Sequence, residues 1–153
     1  MISKRVKLEI RQTRRKSEDQ ITHSEKETFL LAKTLARRFE GTEIVLLEGE
    51  LGAGKTVFAK GIAAGLGLED VDQVCSPSFT LINIYQAKFP IYHIDLYRLS
   101  KRAEISDLGW EDYLGQGVII VEWAEKIPFP LRAIRVHLKI EDGERRRIRI
   151  WPG

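Results

Sequence analysis

The sequence predicts an α/β fold: a mixed central sheet flanked by helices, with a C-terminal antiparallel hairpin. Three observations carry that expectation. Two apolar runs, "IVLL" and "GVIIV", have the unbroken character of strands buried on both faces, as in a parallel sheet. Between them lie stretches with apolar residues three and four apart, the spacing of helices packed against such a sheet. The tail segments "LRAIRVHLKI" and "RRRIRIW" alternate on both sides of Glu141, Asp142 and Gly143, which reads as a hairpin. No repeat or linker interrupts the 153 residues, so one domain spanning 1–153 is expected.

An apolar fraction of 43% with 31% charged residues is ordinary for a soluble globular protein and argues against disorder. No apolar run approaches the roughly 20 residues that a membrane span requires. The N-terminal stretch "MISKRVKLEIRQTRRKSEDQ" is basic but has no apolar segment or small-residue cleavage site, so no secretory signal is expected. Cys75 is the only cysteine and can form no internal disulfide, which fits a reducing cytoplasm, the expected location. The 25 basic residues against 22 acidic ones give a net charge of +3. That excess permits an anionic partner, nucleotide or RNA, without requiring one.

Taken in order, "VKLEIRQ" (6–12) alternates like a half-buried strand, and "TRRKSEDQITH" reads as a charged loop, solvated or touching phosphates. Ser24 opens a helix, with Glu27 completing a capping box; the stripe from Phe29 reaches Phe39, and Gly41 ends it. "EIVLLEG" is a buried strand, followed by a glycine loop and a helix from about Lys55 to Leu66. "FTLINIYQ" and "FPIYHIDLYRL" read as two strands. "KRAEISDLGWEDYLG" reads as one or two short helices, and "GVIIV" is a strand ending in Glu122.

The glycine loop carries the chemistry. Gly49, Glu50, Leu51, Gly52, Ala53, Gly54, Lys55 and Thr56 satisfy G-x-x-x-x-G-K-[ST] in full. A helix N-terminus offers unpaired N–H groups and partial positive charge to an anion, and the backbone can wrap a phosphate only where side chains are absent. Lys55 stands where an ammonium can reach the outer phosphates, and Thr56 offers a hydroxyl to magnesium. Average residue frequencies make a chance match roughly one in a few hundred chains of this length. The predicted ligand is a nucleoside triphosphate, and the fold a P-loop nucleotidase.

Such a site needs an acid at the tip of a neighbouring buried strand. Two positions qualify: Glu122, after "VIIV", and Asp95, after "IYHI"; the residues alone do not say which one touches the metal. In "SPSFT" (76–80), Pro77 keeps Ser76 extended and Ser78 and Thr80 offer hydroxyls. The segment is either a γ-phosphate switch or a proline turn. His93 in its apolar run reads as a core histidine, and the three histidines suggest no zinc site. Lys55, with Arg98, is the cation set nearest the phosphates. The only asparagine is Asn83, which excludes a guanine-reading Asn-Lys-x-Asp segment. A small kinase stays open as an alternative, with "YRLSKRAE" its thin candidate for a substrate pocket. So does a nucleotide-dependent assembly module that needs no hydrolysis.

Five segments, "LEGELGAGKTVFAKGIAAGLG", "SPSFTLINIY", "IYHIDLYRL", "LGWEDYL" and "VEWAEKI", resemble in order and spacing the bacterial TsaE family. These are the ATPases of tRNA threonylcarbamoyladenosine biosynthesis. The resemblance runs from about Ser24 to Ile127. It implies ATP hydrolysis, with magnesium, inside an assembly that modifies adenosine 37 of tRNA. The protein partners implied are the threonylcarbamoyl-transferase subunits, on which the ATPase acts; direct tRNA contact stays open, and no membrane is involved. By the same resemblance Gly49 to Thr56 cradle the phosphates, and Thr56 and Glu122 hold magnesium. Asp95 lies near the γ-phosphate, Thr80 is the switch hydroxyl, Trp123 lies beside the nucleotide and Glu25 near the base. Two departures, Ser78 for threonine and Ala124 for proline, remove no group that the chemistry needs.

Overall fold

The computed structural model describes residues 17–128 and 131–153. The strand expected at 6–12 lies outside the described residues. Seven strands form one sheet: β1 (Glu18–Thr22), β2 (Ile44–Gly49), β3 (Ile82–Gln86), β4 (Pro90–Asp95), β5 (Val118–Glu122), β6 (Ile134–Asp142) and β7 (Arg145–Trp151). Their spatial order is β1-β7-β6-β2-β5-β4-β3. The central strands β4, β5, β2 and β6 run parallel, and the outer pairings, β3 on β4, β7 on β6 and β1 on β7, are antiparallel. The expected mixed sheet and closing hairpin are both present. None of the described helices is long and apolar enough to cross a membrane.

Helices α1 (Glu25–Ala36) and α2 (Lys55–Gly65) cover one face of the sheet, over Val45, Leu47, Val136, Leu138 and Ile148. The opposite face of β2, β5 and β4 is covered by Leu96, Leu99 and Trp110 and by the short α3 (Arg102–Ser106) with its Ile105. This two-sided burial explains why β5 is buried at every position and reads as unbroken apolar sequence.

Local chemistry sets the helix ends. Ser24 Oγ accepts from Glu27 N–H at 3.1 Å, as the capping box predicts, but the Glu27 carboxylate reaches back to His23 N–H instead of Ser24. Helix α1 stops at Ala36, earlier than the stripe to Phe39 implied. Phe39 is buried from the following turn, where the Glu43 carboxylate accepts the N–H groups of Glu40, Gly41 and Thr42. The segment read as a loop before Ser24 contains β1. Its register is set by β7, at the other end of the chain, so "EDQIT" carries little local signal of its own.

Helices α1 and α2 meet at two glycines one turn apart. A Cβ on Gly61 would stand 2.4 Å from the Phe29 carbonyl oxygen and 2.6 Å from Ala32 Cβ; one on Gly65 would stand 2.5 Å from the Lys33 carbonyl oxygen. Gly61→Val is therefore expected to push the helices apart and cost about 3 kcal/mol. Urea denaturation, read as a lower midpoint, measures it.

Candidate functional site

Strand β2 ends at Gly49, where a Cβ would lie 2.5 Å from the Leu138 carbonyl oxygen; no side chain fits there. The chain then turns through Glu50 to Ala53, with Ala53 N–H on the Glu50 carbonyl at 3.1 Å. It enters α2 at Gly54, whose φ of 106° is left-handed. The first-turn N–H groups of α2 have no acceptor within the helix and face the same bend. Lys55 opens the helix yet is only 5% exposed. Its Nζ donates to the carbonyls of Gly49 at 2.5 Å and Glu50 at 2.8 Å and lies 4.0 Å above the Trp123 ring. Burial pushes the Lys55 pKa down, while the charges of Glu125, Glu122, Asp95 and Glu50 pull it back up.

Asp95 and Glu122 are paired across the parallel ladder of β4 and β5, and both are buried. Glu122 Oε1 accepts from Thr56 Oγ1 at 3.0 Å, and Glu122 Oε2 meets His93 Nε2 at 2.5 Å. Asp95 accepts from the Ser76 hydroxyl and, at 2.8 Å, from Tyr97 N–H. Trp123 follows Glu122 with φ of 59°, a left-handed conformation that costs a non-glycine residue about 1 kcal/mol or more. This backbone turn sets its ring 5.0 Å from that of Tyr97.

These groups enclose a cleft of about 430 Å³. Of the expected site residues, Glu25, Leu51, Gly52, Gly54, Lys55, Thr56, Asp95, Glu122 and Trp123 line it. Gly49 and Glu50 hold the lysine from behind, and Ala53 is buried beneath the bend. Two of the expected residues stand outside the cleft. Thr80 does not line the cleft: Leu81 N–H bonds to the Pro77 carbonyl, and in the turn so closed the Thr80 hydroxyl donates to Asn83 Oδ1. Ser76 and Ser78 line the cleft in its place. Arg98 also stands outside it, 4.8 Å over the exposed Phe79 ring. A helix N-terminus, one ammonium, several hydroxyls and two buried carboxylates give the cleft the means to receive an anion together with a hard cation.

The model of the family described as threonylcarbamoyl adenosine biosynthesis protein TsaE matches residues 22–148. The chain belongs to the TsaE family. It is 38% identical over 132 residues to the tRNA threonylcarbamoyladenosine biosynthesis protein TsaE of Aquifex aeolicus, covering 86% of this chain and 93% of that one. It is 43% identical over 129 residues to the protein of the same name from Bacillus subtilis, covering 81% of this chain and 79% of that one. A crystal structure of Bacillus subtilis YdiB superposes with a TM-score of 0.71 at 34% identity, over 88% of this chain and 84% of that one.

The TsaE match spans every site residue from Glu25 to Trp123, and also residues that sequence reasoning passed over. His93 is fully buried, holds Glu122 through Nε2 and has no partner at Nδ1 among the described residues. Its two-residue spacing from Asp95 puts both on one face of β4, a readable signal. That Glu122 is its diagonal neighbour needed the register. Tyr97 is another: its N–H fixes Asp95, and its carbonyl accepts from Lys126 at 2.6 Å. Burial pushes the Glu125 pKa up, with Lys55 pulling the other way.

Proposed function

We propose that this chain is an ATPase serving the threonylcarbamoyladenosine modification of tRNA, and that its hydrolysis remodels or resets the protein partners that carry the transfer chemistry. Family membership supports the pathway. One observation carries the activity: the bend from β2 into α2 surrounds Lys55 opposite two buried carboxylates on adjacent strand tips.

The nucleotide's phosphates would take the N–H groups of the bend and first turn of α2, the arrangement that favours anions. Lys55 would exchange its two carbonyl partners for phosphate oxygens. Thr56 and Glu122 suit magnesium, since both offer hard oxygen ligands and lie within hydrogen-bonding distance of each other. Among the described residues no group of three or more His, Cys, Asp or Glu could hold a metal alone. This fits an ion completed by phosphate oxygens and water. When bound, magnesium neutralises charge on the phosphates. Asp95, held by Ser76 and Tyr97, would orient the attacking water; Trp123 and Glu25 would flank the nucleoside.

Lys55 is the only cation lining the cleft among the described residues, so the charge that quickens hydrolysis is expected to come from a partner. Phosphate release measured with and without the threonylcarbamoyl-transferase subunits tests this. The isolated chain should turn over weakly, and the partners should raise the rate at least about tenfold. Fast turnover without them, or phosphate transfer to a metabolite instead of water, would overturn the proposal.

A further inference from the structure

Arg146 lies on β7 between the hairpin turn and Ile148, and by alternation shares the face on which Ile148 and Ile150 pack in the core with the helices. Its guanidinium ends at the phosphate-loop bend. Nε donates to the Ala53 carbonyl at 3.1 Å and Nη2 to the Gly52 carbonyl at 3.2 Å. Nη1 donates to the carbonyls of Gly143 at 2.5 Å and Arg145 at 3.1 Å, inside the hairpin. One planar fork thus joins the bend to a hairpin more than 90 residues away in sequence.

We propose that Arg146 is a positioning residue that fixes the direction of the anion-binding amides. The inference rests on the nucleotide reading of the cleft and assigns it a component remote in sequence from the motif. In a planar trans peptide the C=O and the next N–H point in opposite directions. Holding the Gly52 and Ala53 carbonyls toward the hairpin therefore turns the N–H groups of Ala53 and Gly54 away from it. The Ala53 N–H is spent on Glu50, which leaves the Gly54 N–H, at the wall of the cleft, aimed by the clamp. A glycine bend with φ of 79° at Gly52 and 106° at Gly54 has many conformations to lose. Restraining it before the ligand arrives removes an ordering cost that binding would otherwise carry. Four of the five guanidinium N–H groups are committed to main-chain carbonyls, so Arg146 acts through the bend and not by touching phosphate.

The test is ATP affinity by calorimetry for the full chain, Arg146→Met and Arg146→Lys, with urea denaturation of each in the absence of nucleotide. Both variants are expected to bind ATP about tenfold more weakly, because neither side chain can bridge two pairs of carbonyls, while the denaturation midpoint moves little. In Arg146→Ala, millimolar guanidinium ion should restore part of the lost affinity, which general weakening of the fold would not allow. If Arg146→Met proves unstable, Arg146→Lys decides. Affinity within twofold of the unaltered chain in a stable variant overturns the clamp. An unaltered chain that binds no ATP overturns the nucleotide reading itself, and the clamp with it.

Discussion

Lys55→Ala is expected to lose ATP binding and to lower partner-stimulated hydrolysis by about 10²–10³-fold. The size of the effect follows from the surroundings of the ammonium. Lys55 is buried, and the acids Glu125, Glu122, Asp95 and Glu50 all act on it electrostatically. Removing it deletes the one cation among the described cleft residues and leaves a cluster of carboxylates facing an incoming polyanion. The loss is thus an attraction turned into repulsion. Nucleotide titration followed by phosphate release measures both consequences, and hydrolysis at the original rate would end the case for this site. Two hydrogen bonds to carbonyls in a solvent-facing loop are a modest structural loss, so the variant should stay folded.

The second large effect is expected at Glu122. Glu122→Ala removes the acceptor of the Thr56 hydroxyl and the partner of a fully buried His93. Its cost should therefore fall on both folding and chemistry. Leaving the imidazole with no partner at either nitrogen among the described residues is expected to destabilise the fold by about 1–3 kcal/mol, and hydrolysis should fall by about 10²–10³-fold. Glu122→Gln separates the two. It keeps an oxygen for Thr56 and a polar neighbour for His93 and removes the charge, so its denaturation midpoint should lie near that of the unaltered chain while hydrolysis stays low. If partner assembly survives in Glu122→Gln but tRNA modification fails, hydrolysis is required. If modification survives as well, nucleotide binding alone suffices, and the assembly-module reading replaces the ATPase.

What was legible in the sequence was what is local or uniform. The bend from Gly49 to Thr56 could be read because an anion needs contiguous amides and absent side chains, a demand written over eight consecutive residues. Strands β2 and β5 could be read because a strand covered on both faces has no reason to alternate. What escaped depends on register and on turns. Ser78 and Thr80 both offered hydroxyls, and the resemblance favoured Thr80 as the switch; the bond from Leu81 N–H to Pro77 O closes the turn that separates Thr80 from the cleft, where Ser76 and Ser78 stand instead. His93 looked like filler until the β4–β5 ladder set it diagonal to Glu122. Arg146 sits in a run of three arginines, and only pairing with β6 turns it alone of the three toward the bend.

The two carboxylates at the base of the cleft stand on neighbouring strands locked into one parallel ladder. Sliding either strand by a single residue would rotate its acid to the far side of the sheet, so their separation cannot be tuned by small motions. Under the proposed hydrolysis, any reshaping during turnover is left to the surrounding walls, at the exposed Leu51 and along the turn that carries the exposed Phe79. The acids are seated in bedrock, and responsiveness is left to the shoreline.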